Sequence, residues 1–193
     1  MIELPQFEDR PRERADAARN RARVLEAAER LFAGAGGRTV TMEQVAAAAG
    51  VGKGTLYRRF PDVAAIATAL LDEHERELQE QLLRGAPPLG PGAPPAERLA
   101  AFYRAMIALL ERHAHLVLAA ETGPRRFRTG AYRAWALHVA ALLDAAGLPE
   151  RPALVDALLA PLAPEVFAHQ RAADLAPAAI AADLETLARR VLS

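Results

Sequence analysis

Apolar residues in this chain recur with the period of helices. Val24, Ala27, Ala28, Leu31 and Phe32 stand at i, i+3, i+4, i+7 and i+8, which lines up one apolar face and predicts a helix from about Arg19 to Gly34. Gly34, Gly36 and Gly37 stop it, because glycine takes the left-handed C-terminal conformation at little cost. Thr41-Met42-Glu43-Gln44 has the Thr-x-x-Gln spacing of a capping box. It opens a short helix to about Ala49, with Met42, Val45 and Ala49 inward. Gly50-Val51-Gly52 reads as a tight turn that joins two helices at a steep angle. Lys53 to Arg59 forms the second short helix, with Leu56 and Phe60 four apart and facing the core. Pro61 ends it, and Asp62 is placed to cap the next helix.

The remainder continues in the same manner. One long helix is predicted from Asp62 to about Leu83, with Ile66, Leu70, Leu71, Leu78 and Leu82 buried. Gly85 to Pro95 is a Pro- and Gly-rich loop. Further helices are predicted at Ala96–Ala114, His115–Thr122 (stopped by Gly123-Pro124), Arg125–Ala146, Arg151–Arg171 (kinked by Pro161 and Pro164) and Pro177–Leu192. The last carries the apolar stripe Ile180, Leu184, Leu187 and Val191. No segment alternates as a strand would, and there is no internal repeat or useful heptad run. Met1 to Ala18, with Pro5, Pro11 and dense charge, shows no apolar period. It reads as a flexible basic arm that joins the first helix near its end. The predicted fold class is all-α: an arm over 1–18, a helix-turn-helix domain over 19–62 and a helical domain over 63–193.

Charge changes this picture. The net charge of the 193-residue chain is zero, yet eleven bases and five acids between Arg10 and Phe60 give that segment +6. A basic front and an acidic rear suit a protein that places one end on phosphates. Lys53 is the only lysine, and there is no cysteine, which excludes disulfides and cysteine-ligated zinc. No uncharged apolar run approaches the roughly 18 residues of a spanning helix. No basic stretch followed by an apolar segment opens the chain. The expectation is a soluble, cytoplasmic protein that meets no membrane. The abundance of Arg, Ala, Gly and Pro fits a high-GC bacterial source.

Thr41-Met42-Glu43-Gln44-Val45-Ala46, followed by Ala49-Gly50-Val51-Gly52-Lys53-Gly54-Thr55-Leu56-Tyr57-Arg58-Arg59-Phe60-Pro61-Asp62, resembles the signature of TetR-family regulators. The preceding Ala27-Ala28-Glu29-Arg30-Leu31-Phe32 is similar to that family's first helix. The match covers about the first third of the chain. The resemblance implies about nine helices, a homodimer built mainly from the last two, and a ligand cavity in the C-terminal domain. Two positions depart from it: Gly52 stands where members commonly carry serine, and Arg59 near where they carry histidine or tyrosine.

Candidate roles can be set residue by residue. Thr41 can offer its hydroxyl and neighbouring amides to a phosphate. Lys53 and Thr55, at the start of the recognition helix, are candidates for base edges or phosphate. Gly52 removes a possible hydroxyl contact to phosphate, and Gly54 allows close approach to the groove. Tyr57 can donate to a phosphate, as the matching family tyrosine does. Arg58 and Arg59 suit bidentate guanine contact or phosphate clamping. Arg10, Arg12 and Arg14 read either as a minor-groove arm or as a soluble tail, and Glu8, Asp9, Glu13 and Asp16 favour the tail.

In the second domain Phe102, Tyr103 and Met106 share one helix, Tyr132, Trp135 and His138 another, and Phe167 lies on a third. They suit either an apolar ligand cavity or ordinary core packing. His113 and His115, two apart on a helix, point to opposite sides and do not make a metal site. Arg125, Arg126 and Arg128 read as a solvated helix start or, second, an anion site. No phosphate loop, zinc-peptidase motif or nucleophile elbow appears, so no enzyme, cofactor or metal is expected. The expected function is a repressor released from operator DNA by an unidentified small-molecule effector. The alternative is a DNA-binding dimer whose C-terminal domain is a dimerisation or protein-interaction scaffold.

Overall fold

The computed structural model describes residues 9–34, 40–120, 127 and 130–192, with backbone alone for 9–14 and 114–120. Among the described residues every long element is a helix and none is a strand, as the periodicity predicts.

Helix α1 spans Asp9–Gly34. It starts ten residues before the predicted Arg19, so 9–18 of the expected arm is helical. Arg, Glu and Ala are strong helix formers even without an apolar face. Pro11 falls in the first turn, where backbone N–H groups have no helical partner to lose. The rest of the arm, 1–8, lies outside the described residues. Helix α2 spans Met42–Ala49 and α3 Lys53–Arg59. Helix α4 spans Val63–Arg84, and the amide of Ala65 donates to Asp62 Oδ1 at 2.8 Å as its cap.

Helix α5 runs unbroken over Pro95–Ala120. The break expected between Ala114 and His115 is absent, because no Gly or Pro interrupts that stretch. The expected stop at Gly123-Pro124 and the arginines at 125, 126 and 128 lie outside the described residues. Helix α6 spans Gly130–Ala145. The predicted long helix after Arg151 is instead two helices, α7 at Pro152–Leu159 and α8 at Pro164–Ala172, joined by a 3-10 turn at Ala160–Leu162. Ala163 is extended, at φ −63° and ψ 132°. Pro164 disfavours the helical conformation for the residue before it; Ala163 is extended and the helix breaks there, whereas Ala160, before Pro161, stays in the helical region. Helix α9 spans Pro177–Leu192.

The chain divides into two compact units, 1–70 and 71–193. In the first, Val24, Ala27 and Ala28 of α1 meet Val45 and Ala49 of α2, Leu56 of α3, Phe60, and Ile66 and Leu70 of α4. Its boundary falls beyond the predicted Asp62 because Ile66 and Leu70 belong to this core. In the second, α9 lies along α5 and buries Ile180, Leu184 and Ala188. Two ion pairs flank that seam: Arg104 Nε to Glu185 at 2.8 Å and Arg189 Nε to Glu97 at 3.0 Å. Phe102, Tyr103 and Phe167 are fully buried beside them.

The Tyr103 hydroxyl donates to the Leu158 carbonyl at 2.9 Å and ties α5 to α7. Burial pushes its pKa above the ordinary phenol value. Tyr103→Phe leaves that carbonyl unsatisfied in the interior and costs about 1–3 kcal/mol. Urea unfolding of the two proteins checks this, and equal midpoints contradict it.

Candidate nucleic-acid interface and sensing groove

The capping box that starts α2 is complete. Gln44 N donates to Thr41 Oγ1 at 3.3 Å, and Thr41 N donates to Gln44 Oε1 at 2.9 Å. At the other end Gly50 is left-handed, at φ 61° and ψ 39°. Its amide and that of Val51 close on Ala47 and Ala46 carbonyls at 3.2 and 3.1 Å. Only glycine takes this conformation readily, and the turn fixes where α3 sets out. The seven residues of α3 are then held from one side by Leu56 and the following Phe60, 2% and 5% exposed.

Lys53, Gly54, Thr55, Tyr57, Arg58 and Arg59 are all exposed around that anchor, but they divide into two faces. Thr55 and Arg59 line a narrow hollow with Asn20 and Val24 of α1, and Arg59 donates to the Ala17 carbonyl at 3.0 Å. Arg59 is therefore engaged with the backbone of α1. Lys53, Gly54, Tyr57 and Arg58 occupy the rest of the surface. Gly52 is the N-cap of α3 and supplies no side-chain cap. A Cβ added at Gly52 or Gly54 meets nothing within 4 Å, so the fold itself requires neither glycine.

Glu43, read from sequence only as part of the cap, belongs to this surface. Its carboxylate lies 3.6 Å from Lys53 Nζ. Hydrogen bonding to its own amide at the head of α2 and the charge of Lys53 hold its pKa below the ordinary carboxylate value, with Tyr57 contributing. The available signal was an acid in the first turn of α2, close to where the glycine turn delivers Lys53.

The expected cavity residues separate. Phe102, Tyr103, Met106 and Phe167 are buried in the second core. The half-buried Tyr132 donates to Asp156 Oδ1 at 2.9 Å. Trp135 and His138 line a groove of about 450 Å³ with Leu82, Leu83, Leu137 and Arg98. Burial, and then the charge of Arg98, push the His138 pKa down to about 4. His113 is buried, and its Nε2 lies 2.7 Å from His74 Nδ1. The His115 side chain is outside the described residues. Among the described residues no three His, Asp or Glu side chains gather as a metal site, and no helix is long and apolar enough to cross a membrane.

The family model for bacterial regulatory proteins of the tetR family matches residues 24–70, the stretch that builds the first core. An uncharacterized HTH-type transcriptional regulator of Mycobacterium tuberculosis is 38% identical over 61 residues, 32% of this chain and 30% of that protein. The chain thus matches about a third of that curated relative's length. The TetR transcription regulatory protein from Mycobacterium vanbaalenii is 30% identical; the match covers 81% of this chain and 97% of that one, with a TM-score of 0.52. The fatty acid degradation regulator FadR from Bacillus halodurans is 18% identical, with 88% and 94% covered and a TM-score of 0.62. At that identity the likeness shows the fold alone.

These geometries set two measurable outcomes. Glu43→Gln removes a negative charge beside Lys53 and strengthens binding to random duplex DNA, steepening the log–log salt dependence by roughly one unit. An unchanged slope in a filter or anisotropy titration contradicts the pairing. For His138, the imidazole titrates near 6.5 when unfolded and about 4 when folded. Between those pH values the unfolded chain binds more protons, so stability falls as pH drops from 6.5 toward 4. The denaturation midpoint of His138→Gln varies less with pH over that window, and identical profiles contradict the assignment.

Proposed function

The chain belongs to the TetR family of bacterial regulatory proteins, and from that premise we propose that it is a homodimeric repressor released from its operator by a small molecule. The observation that carries the DNA-reading part is the short helix α3, anchored by Leu56 and Phe60, with Lys53, Gly54, Tyr57 and Arg58 outward. Lys53 and Arg58 bring charge to phosphates or base edges, Tyr57 brings a hydroxyl donor, and Gly54 permits close approach. Thr41 adds a hydroxyl at the head of α2. Thr55 and Arg59 act as base or phosphate contacts after exchanging their neighbours on α1.

Dimerisation runs through the last two helices, α8 and α9, where Val166 and Leu187 leave apolar groups exposed. Two recognition helices then meet successive major grooves about 34–36 Å apart. Effector binding in the C-terminal unit favours a dimer whose helices are wrongly spaced, and the operator is released by population shift. The groove beside Trp135 and His138 is the site we assign to the effector. Phe102 packs on the rings of Trp135 and His138 from behind, whereas Tyr103, Met106, Tyr132 and Phe167 do not line the groove.

The close packing of Phe102, Tyr103 and Phe167 favours a second reading, a dimer whose C-terminal unit is a scaffold without an effector. Trp135, the only tryptophan, separates the two, because fluorescence silent to every small molecule tried supports the scaffold.

The test is selection of duplex DNA by the purified protein. A palindromic site with half-sites one helical turn apart is expected; no preference over random competitor overturns the reading. On the selected site, Tyr57→Phe and Lys53→Ala each weaken binding by roughly tenfold, and Lys53→Ala lowers the salt slope by about one unit. Unchanged affinity in both variants removes these residues from the interface.

A further inference from the structure

The C-terminal unit holds a cation without a counter-ion among the described residues. Arg98, in the first turn of α5, faces the groove that the end of α4 and the middle of α6 enclose. One guanidinium nitrogen donates to the Leu82 carbonyl at 3.0 Å. Its Nε is shielded from solvent and has no hydrogen-bond partner, and the same is true of His138 Nε2. No described acid lines the groove. The nearest acid in sequence, Glu97, is paired with Arg189. The rest of the lining is mostly apolar. Leu83 and Leu137, at 68% and 72% exposed, are the two most exposed large hydrophobic residues described, and Trp135 closes the inner side.

These features constrain an occupant. One nitrogen of this half-buried guanidinium, Nε, is shielded and unpartnered while another is held by the Leu82 carbonyl, and the charge as a whole has no counter-ion, which an anion would supply. The charge of Arg98 is felt by the neighbouring His138, which stays neutral at pH 7 and is free either to donate or to accept. Exposed leucines on the rim and tryptophan inside suit a hydrocarbon body. The groove volume of about 450 Å³ is within the range for small-molecule sites.

We propose that this groove binds an apolar monoanion, its acidic head on Arg98 and His138 and its hydrocarbon body across Leu83, Leu137 and Trp135. The proposal rests on the reading of the C-terminal unit as a sensor and deepens it by naming the effector's chemistry. A neutral head loses the charge-assisted bonds, and a cationic head meets Arg98 as a like charge.

The experiment uses the full chain, Trp135 fluorescence and three probes of one chain length below their micelle concentrations: decanoate, decanol and decyltrimethylammonium. Decanoate is expected to give a saturable change and to bind about tenfold or more tighter than decanol, with no saturable response to the ammonium probe. Arg98→Gln brings decanoate to the affinity of decanol and leaves decanol unchanged. Arg98→Lys retains the preference, which separates loss of charge from misfolding. In wild type, decanoate raises the pH at which the His138 ring takes its proton, read by NMR. Equal affinity for decanoate and decanol, tighter binding of the ammonium probe, an Arg98→Gln variant that still prefers decanoate, or no response to any probe overturns the proposal. Operator selection without any probe is an independent readout. A selected operator with no decanoate binding sinks the ligand assignment alone, whereas decanoate binding without a selected operator sinks the regulator reading and leaves the site.

Discussion

The exposed face of α3 depends on the anchoring of a helix too short to stand alone. Seven residues form fewer than two turns past nucleation, and such a segment has no stability of its own in water. Leu56 and Phe60 supply it by burial against α1 and α2, and the left-handed Gly50 fixes the angle at which α3 leaves α2. Two side chains and one backbone conformation thus carry the fold of the motif. Thr55 and Arg59 face α1, and Lys53, Gly54, Tyr57 and Arg58 are exposed. The open space around Gly52 and Gly54 makes the same point, since the packing tolerates a side chain at either position.

The basic excess of the N-terminal segment is less available than its count suggests. Arg19 pairs with Asp16, Arg30 with Glu26, Lys53 with Glu43, and Arg59 is held by the Ala17 carbonyl. Exposed pairs of this kind are worth about 1 kcal/mol or less, so a phosphate displaces them without much loss. Their use is to hold long side chains near the surface in defined places. Arg58 makes no ion pair or hydrogen bond among the described residues, and it presents its charge on α3 unshared. Glu43 sets the polarity of the neighbouring patch through its ion pair with Lys53.

Much of this was legible in the sequence where local chemistry decides structure. The Thr41–Gln44 capping box, the glycine turn at Gly50 and the buried Leu56 and Phe60 follow from spacing alone, and so do Ile66, Leu70, Leu71, Leu78 and Leu82 on α4. Departures occur where periodicity has nothing to measure. Residues 9–18 are helical without an apolar face, and α5 passes Ala114 because nothing there stops it. Of the two prolines expected to kink one helix, Pro161 leaves Ala160 in the helical region and Pro164 has Ala163 extended before it, so the break falls at the second. In the C-terminal unit, Phe102 and Trp135 look alike as aromatic residues at helical spacing. Both are buried in one core, and only the fold shows that Trp135 also lines the groove. Arg98 gave no signal at all, being one more arginine in a charged helix start.

The groove and the α5–α9 seam differ in how completely their polar groups are paired. The α5–α9 seam is closed by paired charges, Arg104 with Glu185 and Arg189 with Glu97, over a buried row of leucine, isoleucine and alanine. There the flanking charges have partners and the packing is complete. At the groove the opposite holds: an unpaired guanidinium nitrogen, an unpaired imidazole nitrogen and two exposed leucines lie together. A well-packed apolar replacement for an unpartnered, half-buried charge is neutral or stabilising as a rule. Arg98 contributes one hydrogen bond to the Leu82 carbonyl and leaves its Nε unpaired. Sites that break the local rules of packing and polar satisfaction are where function is expected to reside, and two of the three buried unpartnered side-chain atoms described in this unit lie at this groove. With His138 neutral at ordinary pH, the charge of that groove is set by Arg98 alone.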